Sequence, residues 1–309
     1  MHNSTPRFGL IGTGIWVRDV HGPAAADSEV VRFTGVFGRN AATANEATAS
    51  HGITAYTDLA RFLDNVDIVG IAVPPEAQPE FARAAIAAGK HLLLEKPVAL
   101  EPDAARQIAD GLDKKGLKSL VFFTNLFNPR VRAWLDDVHT VGGWTGGRID
   151  SFSGVLVDPS NPFHSTFNWR GRAGALWDAV PHAVALLTQI FGPVVEVYAA
   201  AGAGDLGAAT LAHRDGGLTT INFAMDMAPS VPGETVIYGA AGKRAIPAAV
   251  LDWNSTAREA YGAALGALVA AVNGEPTQHP YARFGAYVTN VLAAIEKSLA
   301  SRVPVAVGR

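Results

Sequence analysis

Three short stretches carry side chains whose types and spacing could do chemistry. The first, "HLLLEKPVAL" at residues 91–100, is a leucine run that ends on Glu95, Lys96 and Pro97. A lysine at the end of a buried strand can hydrogen-bond a hydroxyl or carbonyl and stabilise charge developing on its oxygen. Pro97 steers Lys96 away from helical angles. Taken alone, the same lysine also fits an ordinary solvated strand end. The second, "WDAVPH" at residues 177–182, sets Asp178 and His182 four residues apart. A helix would place both on one face, ~5–6 Å apart at Cβ, and a histidine oriented by a carboxylate is a general acid–base pair. Pro181 suits a first helical turn, so Asp178 fits equally well as an N-cap, a role that does not prevent it from orienting a histidine. The third, "GLIGTGIWV" at residues 9–17, places Gly12 and Gly14 between a strand candidate and a helix. There Gly12 permits a tight turn, and Gly14 lets the backbone approach a pyrophosphate at a helix N-terminus. Val17 stands where a third small residue is usual, which implies looser helix–strand packing.

The second strand candidate ends "VFGRN". It offers no carboxylate to accept hydrogen bonds from the ribose hydroxyls of NAD. Gly38 and Arg39 instead suit a 2′-phosphate, so NADP(H) is the expected cofactor and NAD(H) the alternative. An exposed arginine at a helix start is the other reading of Arg39.

The elements that must position these groups follow from the apolar patterning. Strands are predicted over 7–12, 30–37, 66–74, 91–95 and 119–125, with helices over 41–50, 76–89 and 101–116. Asp58 and Glu101 sit at helix starts, and Gly89 and Gly116 at helix ends. Such alternation predicts an α/β fold: a doubly wound parallel sheet covered on both faces. Beyond residue 125 the pattern changes. A helix near 129–139 leads to a strand-like 148–158, and a second helix runs to the Gly192–Pro193 stop. Strands then follow without helices between them, at 194–201, 207–213, 217–224, 234–240 and 243–247, which predicts a mostly antiparallel sheet. A last helix over 281–300 carries Phe284, Tyr287, Val288, Val291, Leu292 and Ile295 at helical spacing. Two domains are expected, a dinucleotide-binding domain over 1–124 and a substrate-binding domain over 125–309.

Composition excludes more than it assigns. The 309 residues are 49% hydrophobic and 17% charged, with a net charge of −3 and no cysteine. Disulfides, thiolate metal sites and cysteine nucleophiles are therefore impossible. No basic stripe suits nucleic acid, and no apolar run approaches the ~20 residues of a spanning helix. The start lacks a signal-peptide pattern, so a cytoplasmic protein is expected. Asp178 and His182 have no third ligand at zinc-like spacing, so no metal is expected. A Gly-x-Ser-x-Gly elbow is missing, and "GAAGKR" lacks P-loop spacing.

Taken together, "GLIGTGIWV", "AIAAGKHLLLEKPVAL", "GALWDAVPHAVALL" and "AAIEKSLASRVPVAV" resemble landmarks of the Gfo/Idh/MocA oxidoreductases. That resemblance implies a Rossmann domain, then an α/β domain with a large open sheet whose exposed face makes a homo-oligomer, a dimer or tetramer. It implies hydride transfer between a nicotinamide and a carbinol carbon of a sugar, inositol or related polyol. Lys96 would polarise the hydroxyl and His182 would serve as acid–base, with Asp178 supporting His182 or the substrate. The cofactor would meet Gly12, Gly14, Ile15 and Trp16 at the glycine turn, and Gly38 and Arg39 after the second strand. Pro74, Glu95 and Lys96 would complete its pocket, with the Lys96–Pro97 bond often cis. The last helix is expected to pack back on the first domain. Two positions depart from the family pattern: Leu126 stands where many members carry arginine, and Gln78 where histidine is frequent. Leu126 keeps open a non-catalytic nucleotide or sugar sensor, with a metal-dependent lyase or hydrolase as the other rival.

Overall fold

The computed structural model describes residues 5–164, 169–247, 253–276 and 281–308. It divides into two compact units, one of residues up to Asn128 with Trp253–Ala286, the other of Pro129–Asp252 with Tyr287–Arg309.

In the first unit, β1 (Arg7–Ile11), β2 (Arg32–Phe37), β3 (Thr54–Tyr56), β4 (Ile68–Ile71), β5 (His91–Glu95) and β6 (Ser119–Phe122) form one sheet. The strand order is β3-β2-β1-β4-β5-β6, with every pairing parallel. β4 and β6 are buried at every position, as a sheet covered on both faces requires. β3 has three residues, too few to leave a readable pattern. After β1 the chain makes a π-helical turn, Val17–His21, before α1 (Gly22–Ala26). A π-helical turn is wider than an α-helical one, and here it carries the bulky, buried Val17 at the position expected to be small. α2 (Ala41–Thr48) is capped by Asn40, whose side chain accepts from the Ala42 and Thr43 N–H groups. Asp58 caps α3 (Leu59–Asp64) in the same way. α4 (Gln78–Ala87) and α5 (Pro102–Lys115) follow, the latter ending on Gly116 in the left-handed conformation. α6 (Thr124–Phe127) buries Leu126 and Phe127. These apolar anchors put the division after Asn128 rather than at 124/125, and the buried Asn128 side chain donates to Thr256 Oγ1 at 3.1 Å.

The second unit opens with α7 (Pro129–Val141) and β7 (Trp144–Phe152). α8 (Trp169–Asp178) and α9 (Val180–Phe191) precede β8 (Val194–Ala201), β9 (Gly207–His213), β10 (Leu218–Ala224), β11 (Glu234–Gly239) and β12 (Gly242–Ala245). The order is β12-β11-β7-β10-β9-β8-β13, where β13 is Val305–Ala306. All pairs are antiparallel except β7 with β10. α9 packs on β7 and β10 through an almost wholly apolar surface. The row Val197, Leu211, Thr219, Gly147 and Ile237 is buried, while the alternate rows bear the exposed Tyr198, Leu218 and Tyr238.

Two long helices close the chain. α10 (Trp253–Val272), for which the patterning above made no provision, belongs entirely to the first unit. Its Ala260, Tyr261, Ala264, Leu265 and Leu268 form an apolar stripe in one core with Phe8, Leu10, Ile68, Leu93 and Phe122. Full burial of each leucine contributes about 1.5–3 kcal/mol. α11 (Ala282–Ser301) gives residues up to Ala286 to the first unit, where Phe284 meets Phe123 edge to face at 5.7 Å. From Tyr287 onward it belongs to the second. There the Tyr287 hydroxyl accepts the Val194 N–H and Ser298 Oγ accepts the Ala199 N–H. The helix that returns to the first unit as a whole is therefore α10 and not α11.

Candidate active site

Strand order in the parallel sheet reverses between β1 and β4, the place where open sheets of this kind take ligands at their carboxyl edge. Gly12 follows β1, Gly38 and Arg39 follow β2, and Pro74 lies just beyond β4. Glu95 ends β5, with Lys96 next to it. Gly12 has φ +125° and donates its N–H to the Phe37 carbonyl at 3.0 Å. A Cβ at Gly12 would collide with the carbonyl oxygen of Ala72. At Gly14 a Cβ would meet nothing within 4 Å, so the backbone is open to a ligand there. Ile15 and Trp16 follow, both half-buried.

Gly38 is buried, and a Cβ there would lie 2.5 Å from Thr13 Cγ2 and 3.2 Å from Ala44 Cβ. Packing alone therefore accounts for this glycine. Arg39 is exposed and carries no ion pair among the described residues. It stands beside the glycine turn, because the Thr13 hydroxyl reaches the Thr43 hydroxyl of α2 at 3.2 Å. An unpaired guanidinium there is available to a phosphate. The residues at this edge thus fit a dinucleotide.

The Lys96–Pro97 peptide is cis. Gln78, 1% exposed, clamps the turn. Its Nε2 donates to the carbonyls of Glu95 (2.8 Å), Pro97 (2.9 Å) and Val98 (3.1 Å), and its Oε1 accepts the Glu95 N–H at 3.1 Å. Glu95 Oε2 accepts the Lys96 N–H at 3.2 Å. Gln78→Leu would strand these backbone groups in the interior at about 1–3 kcal/mol each. We expect a loss of about 3 kcal/mol in urea unfolding; an unchanged midpoint would show that Gln78 is no clamp.

Glu95 also faces His21, whose Nε2 lies 3.0 Å from Oε1. The Tyr261 ring stacks on the imidazole at 4.0 Å, and Phe122 meets it edge-on at 5.7 Å. Burial first, and the nearby Glu95 charge second, push the Tyr261 hydroxyl well above the ordinary tyrosine range. Spacing alone gave no sign of His21 or Tyr261: one lies in the π-helical turn, the other in α10.

In the second unit, the helical run breaks between Asp178 and His182. Asp178 is the last residue of α8, and Ala179 occupies the N-cap of α9 without a side-chain cap. Asp178 therefore neither caps α9 nor shares one continuous helix with His182, although Pro181 does fall in the first turn. The carboxylate is engaged by Arg170, Nε to Oδ2 2.9 Å, at the other end of α8. The Arg170 guanidinium also lies over Trp169 and Phe163, at 4.7 and 5.2 Å. His182 is half-buried and donates its backbone N–H to the Ala179 carbonyl at 3.2 Å.

α8 is kinked at Gly174, where a Cβ would crowd Asp205 Oδ1. Asp205 accepts the Ala175 N–H just past the kink and the Met225 N–H at the end of β10. Burial outweighs these bonds and raises its pKa above the ordinary value. A carboxyl group that is more basic when folded binds its proton more tightly in the native state. Its contribution is complete at pH below the ordinary carboxylate value and is lost as pH rises through the folded value. Asp205→Asn is expected to flatten that stretch of the stability–pH curve, measured by urea unfolding at stepped pH. An unaltered slope would assign it to another group.

Leu126 is 2% exposed, so at this position the chain has core packing in place of the expected arginine. Among the described residues no group of three or more histidines and carboxylates could hold a metal ion, and no helix is long and apolar enough to cross a membrane.

Comparison with known proteins matches residues 6–123 to the model of an oxidoreductase family with an NAD-binding Rossmann fold, and residues 145–244 to the GFO/IDH/MocA C-terminal domain. A scyllo-inositol 2-dehydrogenase (NADP(+)) of Bacillus subtilis is 31% identical over 139 residues, which are 44% of this chain and 42% of that one. A levoglucosan dehydrogenase of Pseudarthrobacter phenanthrenivorans is 32% identical over 162 residues, 50% of this chain and 41% of that one. The chain spans about half the length of the curated relatives it matches. Among solved structures, a scyllo-inositol dehydrogenase from Lactobacillus casei with bound NAD(H) and scyllo-inositol superposes with a TM-score of 0.86 at 18% identity. That match covers 98% of this chain and 99% of the other, and it establishes the shared fold.

Proposed function

Because the chain belongs to the Gfo/Idh/MocA oxidoreductase family, we propose that it is an NADP(H)-preferring dehydrogenase. Its substrate class is an inositol, sugar or related polyol. The observation that carries this reading is the Lys96 turn. A lysine at the carboxyl edge of the parallel sheet, clamped by Gln78 and beside an open glycine turn, is built to meet a ligand.

The dinucleotide would lie along Gly12, Gly14, Ile15 and Trp16, with Arg39 at its 2′-phosphate and Pro74 and Glu95 nearer the nicotinamide. When bound, it supplies a hydride acceptor for oxidation or a donor for reduction. Lys96 hydrogen-bonds the reacting hydroxyl and stabilises the negative charge that grows on its oxygen. His182 takes the hydroxyl proton in oxidation and returns it in reduction. Asp178, paired with Arg170, supports His182 or the substrate.

Titration with NADPH and NADH, followed by nicotinamide fluorescence, is the direct test. NADPH is expected to bind at least about tenfold more tightly, since a hydrogen bond to a charged group is worth about 1.5–3 kcal/mol. Arg39→Ala should erase most of that difference and leave NADH affinity unchanged. Tighter NADH binding would overturn the Arg39 assignment alone. If neither nucleotide binds, the dehydrogenase reading falls. If one does, turnover is sought with myo- and scyllo-inositol, xylose, glucose and levoglucosan.

A further inference from the structure

We propose that His21 is a positioning residue for Lys96, acting through the Glu95 carboxylate. The proposal rests on the reading of Lys96 as the hydroxyl-polarising residue. His21 ends the π-helical turn and is 1% exposed. Its Nε2 lies 3.0 Å from Glu95 Oε1, while Oε2 of the same carboxylate accepts the Lys96 N–H at 3.2 Å. One carboxylate thus joins a buried imidazole to the backbone of the residue that carries the ammonium group.

The surroundings of the ring point to this role. Tyr261 covers one face at 4.0 Å with the two planes 12° apart, Phe122 stands edge-on, and the Trp16 ring lies 5.7 Å away. Nδ1 is buried and has no hydrogen-bond partner among the described residues. The Nε2 approach to Glu95 falls within ion-pair distance but off the direction of a linear hydrogen bond. Burying an imidazole among aromatic rings is costly unless a polar neighbour compensates, and the polar group this one faces is Glu95.

The Lys96 turn is consequently held from two sides. Gln78 fixes the carbonyls of Glu95, Pro97 and Val98, and Glu95 fixes the Lys96 N–H. Glu95 is 16% exposed, and without His21 its carboxylate is free to turn toward water and release that N–H. The pair also ties the element after the glycine turn to the strand end that carries Lys96. A shift at one is then felt at the other.

The test uses four variants of the full-length protein. His21→Phe keeps a ring against Tyr261 and removes both nitrogens. Glu95→Gln removes the charge, and the double variant removes both. His21→Gln returns an N–H near the Nε2 position. The first readout is the rate of Lys96 acetylation by acetyl N-hydroxysuccinimide without substrate, followed by peptide mass spectrometry. We expect a threefold or greater acceleration in His21→Phe, the same in Glu95→Gln and in the double variant, and a return toward wild type in His21→Gln. Should His21→Phe fail to fold, His21→Asn, polar but too short to reach the carboxylate, carries the same expectation. A wild-type acetylation rate in the folded His21 variant overturns the proposal, as do effects that add in the double variant. The second readout is kinetic: kcat with a turned-over polyol should fall about tenfold in His21→Phe while the Kd for NADPH stays within twofold. An equal loss in both would mean a merely structural histidine and would also overturn it. Accelerated acetylation in an enzyme that turns over no polyol would leave the positioning role standing and remove the functional reading beneath it.

Discussion

Lys96→Ala is expected to lower kcat by about 10²–10³-fold, the usual cost of removing one donor aimed at a developing oxyanion. The ammonium group and its methylene stem are the only parts of the clamped turn that this change removes. The clamp itself is made by Gln78, the Glu95 carboxylate and main-chain groups, all of which survive. Unfolding stability should therefore change little, and the Kd for NADPH should stay within about threefold of wild type. The lysine is half-buried, so its loss exposes no large apolar surface. The measurement is steady-state turnover of whichever polyol the wild type accepts, paired with nucleotide fluorescence titration on the same sample. Unchanged turnover would take Lys96 out of the mechanism. A parallel collapse of turnover and nucleotide affinity would mean that Lys96 belongs to the cofactor pocket more than to the substrate.

The second large effect is expected at Gly12. Its φ of +125° is strained for any residue with a side chain, at about 1–3 kcal/mol. An added Cβ would also run into the Ala72 carbonyl, which is backbone and cannot rotate aside. Overpacking of this kind costs a further ~1–3 kcal/mol, so Gly12→Ala should destabilise the protein by about 4 kcal/mol in urea unfolding. Nucleotide affinity should weaken with it, since β1 and β4 must shift apart where the turn leaves the sheet. Gly14→Ala is the contrasting change. Its Cβ meets no protein atom within 4 Å, so stability should move by less than about 0.5 kcal/mol. If the phosphates lie where the open backbone allows, the same methyl group should weaken NADPH binding tenfold or more. Loss of stability at Gly14, or none at Gly12, would show that the turn is not shaped as described.

Much of the first unit was legible in the chain itself. Buried parallel strands read as short apolar runs, and the helices between them carry caps and stops, so β1, β2, β4, β5 and β6 could be placed from pattern alone. The alternating strands of the second sheet were legible for the same reason, because one face is buried and the other is not. Glu95, Lys96, Gly12 and Gly14 stood out because turn chemistry and strand ends are local properties. Asp178 and His182 were visible as a pair, but their relation was not. Whether two residues four apart share a helix depends on the backbone between them, and here the helical run breaks at Ala179.

What only the tertiary structure decided are the associations across long stretches of chain. α10 returns to the first unit after strands β7 to β12 of the second sheet, and it brings Tyr261 against His21. Gln78 reaches 20 residues ahead to hold Val98, and His21 after β1 meets Glu95 at the end of β5, with β4 between the two strands. None of these follows from periodicity, because a buried polar side chain looks the same in sequence whether it faces a carboxylate, a carbonyl or a ligand. Local propensity and apolar spacing select the elements. The partners of the few polar groups inside are set by which elements the whole core draws together.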